Sequence, residues 1–525
     1  MNKTSIRIFR NGRIHTMRGR EVVSALTCET QSGTILATGS DREIISRFKS
    51  CQPEMVDLEG LTVLPGFSDC HTHFCSWALL NFRPNLDAAR SLKECLEIVA
   101  SYVNNKQPGQ WIVGGGWNRN IWTDQRMPVS ADLNTVSINN PVFLWSKDWH
   151  TAWVNSAAVT MFNITPGQQV ATGGVIEQDD KGRASGILRE EAANHYFRLI
   201  PKATQTEYEN ALVAGQKKFA RMGLTGFHTM ETQDEFALLQ SLDQQGKLSL
   251  RGVYYLREQA LEKLVELKLC SGFGNNKLKF GGIKLFADGS LGSQTAHLLE
   301  PYENSPSRGM PTPDPDALLS FVRTASANGI ACAVHAIGDA ANRMALDIFE
   351  QTKDSSRNLR HRIEHCQLVH PDDIVRFNAL GIIASVQPVH CPSDLDLIER
   401  YWGARGKDAY PFGSLKKNKA KLCFGSDAPI ETPDPFQAIQ AAVTRQRIPA
   451  DRPPFHPEQR LSVYDAVKAY TSEAAYASGD ERWKGTLEPG KVADFICLSD
   501  DIFTIDSGRI HRIKVVRTVI DGKIV

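Results

Sequence analysis

The stretch Leu64-Pro-Gly-Phe-Ser-Asp-Cys-His-Thr-His73 decides how the rest of the chain is read. An apolar run passes through a Pro-Gly pair and ends in two histidines one residue apart. In extended backbone, residues i and i+2 point to the same side, so His71 and His73 can grip one metal ion while Thr72 faces away. The apolar lead-in puts the pair at the C-terminal end of a strand. Neighbouring histidines also occur on solvated strand ends, so the reading turns on what lies downstream.

Beyond this stretch, apolar runs alternate with helical segments, the signature of a parallel α/β sheet. Eight runs read as strands: 62–68, 225–230, 249–255, 279–286, 330–334, 361–365, 382–386 and 421–424. Eight strands with intervening helices predict an α/β fold, a (β/α)₈ TIM barrel over 65–484 whose site lies at the strands' C-terminal ends. One interval, about 111–196, is too long for a single crossover and carries strand and turn signals of its own, so an inserted subdomain is expected there.

Both ends of the chain read as short strands and turns. Asn11-Gly12 between alternating apolar residues predicts a hairpin, and Asp521-Gly522 predicts another. Neither end can cover both faces of so small a sheet alone. Residues 1–64 and 485–525 are therefore expected to pair into one small β-sandwich flanking the barrel.

Lys and Arg (60) nearly balance Asp and Glu (59), so no net field draws the protein to nucleic acid or an anionic membrane. The expected partner is a small molecule. No run approaches eighteen apolar residues, and the N-terminus has no uninterrupted apolar segment, which predicts a cytoplasmic protein without a membrane anchor. The 11 cysteines are scattered, with no Cys-x-x-Cys pair, which argues against a disulfide framework and against a thiolate zinc site.

At the predicted strand ends, His71 and His73 close the first, Lys284 lies in the fourth, His335 ends the fifth, His365 ends the sixth and Asp427 follows the eighth. A barrel gathers such positions around its axis. Imidazole nitrogens with a carboxylate oxygen suit Zn²⁺, and could also hold Mn²⁺ or Fe²⁺.

These stretches, with 145–156 (WSKDWHTAWVNS), Lys284-Leu-Phe-Ala-Asp-Gly-Ser-Leu-Gly-Ser, Val334-His-Ala-Ile-Gly-Asp, Arg362-Ile-Glu-His, Gly425-Ser-Asp-Ala-Pro and Gly485-Thr-Leu-Glu-Pro-Gly-Lys-Val-Ala-Asp, resemble the amidohydrolase superfamily. Within it they are similar to the amidohydrolase-3 or YtcJ-like branch, which includes N-substituted formamide deformylase. The resemblance implies that His71 and His73 bind the more buried of two metals, His335 and His365 the more exposed one, and Asp427 the buried metal plus a catalytic proton. A bare ammonium beside two cations is repelled, so Lys284 must be neutral, point away or be chemically changed. The resemblance implies carboxylation by CO₂, making Lys284 an anionic bridge between two zinc ions. It also suggests a homodimer.

The expected activity is that of a metal-dependent hydrolase, activated hydroxide attacking the C–N bond of a linear or N-substituted amide or formamide. Asp427 then passes the water's proton to the leaving nitrogen. A mononuclear deaminase is the alternative, disfavoured by Lys284; a non-catalytic scaffold is a remote third. Four further residues are candidate substrate contacts: Trp117, His150, His228 and His390. For His150 and His228 a core histidine bonded to its neighbours is the competing reading, and for Trp117 a packed subdomain core. Glu364 and Asp339 could orient the ligand imidazoles, and the loop Gly289–Ser293 could cradle an anion or simply turn the chain.

Overall fold

At Gly66 the chain passes from one sheet into another. Gly66 N–H donates to Asp494 O (2.9 Å), while the next amide, Phe67 N–H, donates to Gly223 O (3.0 Å). The single strand expected over 62–68 is therefore two. Thr62–Pro65 pairs with Phe495–Leu498, and Phe67–Thr72 pairs with Leu224–Glu231. A Cβ at residue 66 would come 2.3 Å from Thr225 Oγ1, so the crossing needs glycine.

The computed structural model describes residues 5–104, 106–123, 126–147, 151–168, 174–355 and 358–525. They form two units, one of residues 1–75 with 216–525 and one of residues 76–215. In the first, eight parallel strands stand in chain order: β1 (Phe67–Thr72), β2 (Leu224–Glu231), β3 (Arg251–Arg257), β4 (Leu278–Phe286), β5 (Cys332–Ala336), β6 (Arg362–His365), β7 (Ile383–Val386) and β8 (Lys421–Phe424). This is the expected (β/α)₈ barrel, nearly closed. The chain after β8 returns to β1, where Ser426 and Asp427 N–H donate to His71 O at 3.1 and 2.6 Å. A Cβ at Gly425 would lie 2.4 Å from His71 N, so that approach also requires glycine. The intervening helices start on local signals. Thr232 and Glu235 form a capping box for Gln233–Gln244, and Asp314 caps Pro315–Ala327 with proline in its first turn.

Two terminal sheets pack face to face beside the barrel. One runs Ile35–Gly39, Ala25–Glu29, Ile6–Arg10, Glu54–Asp57; the other runs Lys523–Ile524, Val515–Ile520, Phe495–Leu498, Thr62–Pro65, Arg13–His15, Val22–Val23. Phe9 meets Phe495 edge-on (centroids 4.8 Å apart) in a core shared by both sheets with Leu26, Val63 and Val519. The expected Asn11-Gly12 hairpin does not form. Ile6–Arg10 and Arg13–His15 lie in different sheets, because Gly12 N–H bonds Ser24 O and Arg13 N–H bonds Leu61 O. The left-handed turn at Asn11 (φ 56°) sends the chain across the sandwich. Asp521-Gly522, by contrast, closes a hairpin with both residues at positive φ. Neither end is all β: Ser40 caps a helix at Asp41–Phe48, and a 3₁₀ helix covers Ser507–Arg512. At the N-terminal end of β3, buried Arg251 donates to Asp494 (2.5 Å) and to Asp521 (2.5 Å), tying the barrel to the C-terminal strands.

The second unit, Ser76–Gly215, is wider than the expected 111–196. Its five-stranded sheet runs Val175–Gln178, Ala184–Arg189, Thr151–Val154, Val142–Ser146, Ile112–Trp117. Strand alternation sends Val142 and Leu144 into one core, with Trp117, Trp122 and Trp153, and Phe143 and Trp145 into another, with Tyr196.

Gly66→Ala is expected to destabilise the fold by about 1–3 kcal/mol through overpacking, read as a lowered unfolding midpoint with unchanged secondary structure. His361, at the foot of β6, gives a pH dependence. Burial pushes it down to about 4, so between about pH 6.5 and 4 the unfolded chain takes up its proton first. Stability is expected to fall across that window by about 1.4 kcal/mol per unit, and the slope to flatten in His361→Asn, measured by urea unfolding.

Candidate metal centre

Barrel strands deliver side chains to their C-terminal ends, and the histidines expected there do converge. The His71 ring lies 5.9 Å from His73 and 4.8 Å from His365, and His365 lies 4.5 Å from His335 (centroid distances). Asp427 sits among them. Its Oδ1 is 3.3 Å from His71 Nε2 and 3.2 Å from His73 Nε2.

The hydrogen bonds of the outer ring nitrogens determine which nitrogens face inward unprotonated. His71 Nδ1 contacts Glu364 Oε2 (2.5 Å) and His73 Nδ1 contacts Met230 O (3.0 Å). A carboxylate and a carbonyl only accept, so Nδ1 carries the proton in each ring. Both Nε2 lone pairs then point at a carboxylate oxygen that is also only an acceptor. Three acceptors this close repel unless a cation or a proton lies between them, and His71, His73 and Asp427 are a ligand set of the right type. On the other flank, His335 Nε2 donates to Gly289 O (2.9 Å), which leaves its Nδ1 lone pair free. His365 Nδ1 is buried with no hydrogen-bond partner among the described residues.

Electrostatics keep these groups in ligand form. Burial opposes ionisation of Asp427, but when a proton rather than a metal ion lies between the acceptors, the charge on His71 and the hydrogen bonds from His71 and His73 hold its carboxyl well below the usual range. Burial, then Lys284, pushes His335 down to about 3, and burial with His335 and His71 holds His365 well below the usual imidazole range. Both imidazoles are neutral at physiological pH. Lys284 is 1% exposed. Burial lowers its ammonium to about 8, although Glu364 and Asp427 pull the other way.

Beneath the site lies a buried network. Arg362 Nη2 donates to Glu364 Oε2 (3.0 Å), Cys70 O (2.5 Å) and Ser385 Oγ (2.7 Å), Nε donates to Glu364 Oε1, and Nη1 donates to His228 Nδ1 (3.1 Å). The His228 expected at the substrate therefore belongs to this support. Burial and Arg362 hold it well below the usual imidazole range, as a neutral acceptor. Trp117 is a core residue of the second unit, its Nε1 donating to Leu144 O (2.9 Å). His150 lies outside the described residues. His390 opens a short helix after β7, its Nε2 3.8 Å from Asp427 Oδ2. Of the two orienting acids, Glu364 does hold an imidazole. Asp339 accepts instead from Leu299 N and Ala340 N.

Two residues escaped sequence reasoning. Arg362 was legible through its i, i+2 relation to Glu364 on one strand face. Asp288, pushed up by burial to about 7, accepts from the N–H groups of Ile337, Gly338 and His297 and lies 3.6 Å from His335 Nε2. Its partners are far away in sequence, which hides its role. The Gly289–Ser293 loop bonds internally, through Ser290, Ser293 and Thr295, and turns the chain.

Replacing Glu364 by Gln removes the carboxylate that holds His71 and balances Arg362. Metal affinity is expected to fall roughly ten- to a hundredfold, measured by competition with a chromogenic chelator; unchanged affinity would remove Glu364 from the support of the site.

Among the described residues no helix is long and apolar enough to cross a membrane. Residues 54–525 match the model of the amidohydrolase family. The chain is 32% identical to the Bacillus subtilis protein YtcJ, with 99% of each chain covered. It is 26% identical to N-substituted formamide deformylase of Arthrobacter pascens, with 93% of each covered. The crystal structure of an uncharacterized metal-dependent hydrolase from Pyrococcus horikoshii superposes with a TM-score of 0.80 at 30% identity, covering 96% of this chain and 99% of that one. The converging donors, the barrel that presents them and a match spanning most of the sequence place this chain in the amidohydrolase family.

Proposed function

We propose that the chain is a binuclear metal-dependent hydrolase that cleaves the C–N bond of a linear or N-substituted amide, formamides included. The observation that carries this reading is the convergence of His71 Nε2, His73 Nε2 and Asp427 Oδ1 beside the buried Lys284. His71, His73 and Asp427 would hold one ion, and His335 and His365 a second. The N/O donor set suits zinc. Likeness to a formamide deformylase supports the substrate class.

Lys284 supports two ions over one. A lysine attacks CO₂ only as the free amine, and a group at about 8 is roughly one-tenth free amine at pH 7. Nitrogen then bonds to carbon, a proton leaves, and the cation becomes an anionic carbamate able to bridge two metals. A mononuclear deaminase has no use for such a group at this place.

Bound metal ions would supply a more acidic water and a polarised substrate carbonyl. The chain's own residues do the rest. Asp427 would accept the proton of the attacking water and return it to the leaving nitrogen. His390, with its Nε2 buried and unpartnered among the described residues, is placed to donate to a substrate oxygen. His150 is the remaining proposed substrate contact.

Protein purified without chelator is expected to carry about two metal equivalents, and its intact mass one acid-labile CO₂. Lys284→Ala should lose that increment and one equivalent. Asp427→Asn is expected to keep most of the metal while turnover of N-substituted formamides falls roughly a hundred- to ten-thousandfold. Near wild-type turnover in Asp427→Asn would remove it from the mechanism, and one equivalent with no increment would replace the binuclear reading.

A further inference from the structure

The unit of residues 76–215 contains a cavity of about 820 Å³ lined only by its own residues, within the size range of small-ligand sites. Leu79, Phe82, Pro84, Ile112 and Pro201 give it apolar walls. Phe82, 40% exposed, forms part of those apolar walls.

Among the side-chain hydrogen-bond donors lining the cavity, with Lys106 and Lys202 adding positive charge, are the Arg83 guanidinium, the Tyr102 hydroxyl and the Trp111 indole. None of these last three has a hydrogen-bond or ion-pair partner among the described residues. Arg83 has been stripped of much of its water, and burial pulls it below the usual guanidinium range. Glu207 pulls the other way through space but makes no hydrogen bond or ion pair with it. Glu207 is taken by Lys106 and by Thr204, whose N–H (3.0 Å) and Oγ1 (3.3 Å) both donate to it. A partly desolvated cation whose one acidic neighbour is bonded elsewhere is costly to keep, and a planar guanidinium fork is matched best by the two oxygens of a carboxylate. Trp111, which lines the cavity, is held by stacking on Phe162 (centroids 4.9 Å apart).

We propose that this cavity binds a small organic monocarboxylate with an apolar body, its carboxylate on Arg83 and Tyr102 and its body against Phe82 and Trp111. An inorganic anion leaves the apolar walls wet, and a neutral ligand leaves Arg83 unanswered. Alkyl and aryl acids share the required chemistry.

The test is calorimetric titration of the metal-loaded protein with octanoate and with 4-phenylbutyrate, using 4-phenylbutanamide as the neutral control. Either acid is expected to bind saturably and to slow hydrogen exchange within 102–113 and 201–210; the tighter of the two identifies the source as alkyl or aryl. Arg83→Met should weaken binding about tenfold or more, and Arg83→Lys, which keeps the charge and loses the fork, by less. Tyr102→Phe keeps every apolar contact, and a weakening there carries the test if Arg83→Met fails to fold. A metal centre also attracts carboxylates, so the location of the exchange protection decides. Equal affinity in wild type and both Arg83 variants, protection confined to the barrel, or an amide bound as tightly as the acid would each overturn the proposal.

Discussion

The site depends on one buried ion pair inside the barrel. Arg362 and Glu364 are both fully buried and sit two residues apart on one face of β6. Burying two charges is expensive, and such a pair survives only if its remaining hydrogen-bonding groups are satisfied. They are. Glu364 receives Arg362 and His71, while Arg362 also reaches Cys70 O, Ser385 Oγ and His228 and lies 5.1 Å over the Tyr255 ring. β1, β2, β3, β6 and β7 therefore converge on one guanidinium. Removing one partner would strand the other in low dielectric at about 3–5 kcal/mol, so the network locks both the ring orientation of His71 and the strands that carry it.

Alternation along a strand cannot bring Glu364 and His365 to the same side, since neighbours point opposite ways. Here Glu364 touches His71 Nδ1 while the His365 ring also lies against His71. The backbone resolves the conflict. His365 and Cys366 adopt left-handed conformations (φ 72° and 47°), and so does Asp427 (φ 59°). Left-handed non-glycine residues cost roughly 1–3 kcal/mol each and persist where surroundings hold them. That strain is concentrated at the groups that face the centre, and it is opposed by amide bonds such as Asp427 N–H to His71 O.

Positions restricted by chemistry were legible in the sequence. Only a few residue types ligate metals, and a barrel offers them only at strand ends, so His71, His73, His335, His365 and Asp427 could be named and were found together. The Asp521-Gly522 hairpin was legible because its turn is local. What failed depended on distant partners. Asn11-Gly12 carries the same local signal, yet Ser24 and Leu61 draw the following amides into another sheet. Gly66 hides a sheet crossing because Thr62 to Ser68 reads as one strand, and the break depends on Gly223, Thr225 and Asp494, all remote in sequence. His228 sits at the right height in the sequence pattern, but Arg362, remote in the chain, claims it. A tryptophan in an inserted subdomain suits a pocket wall and a core equally in the sequence, and the burial of Trp117 with Trp122 and Trp153 is a tertiary fact.

The two flanks of the centre are held differently. His71 and His73 have their outer nitrogens tied to Glu364 and to the Met230 carbonyl, so their lone pairs are aimed before any ion arrives. His365 and His390 each keep a buried nitrogen without a partner among the described residues. A buried imidazole nitrogen left unpaired costs free energy that a ligand can recover. The locked flank resembles the second-sphere support of a permanent metal ligand. The unpaired nitrogens lie where the chain leaves β6 and β7. His71 and His73 are thus aimed by the protein alone, whereas the open nitrogens of His365 and His390 await a partner that the described residues do not supply.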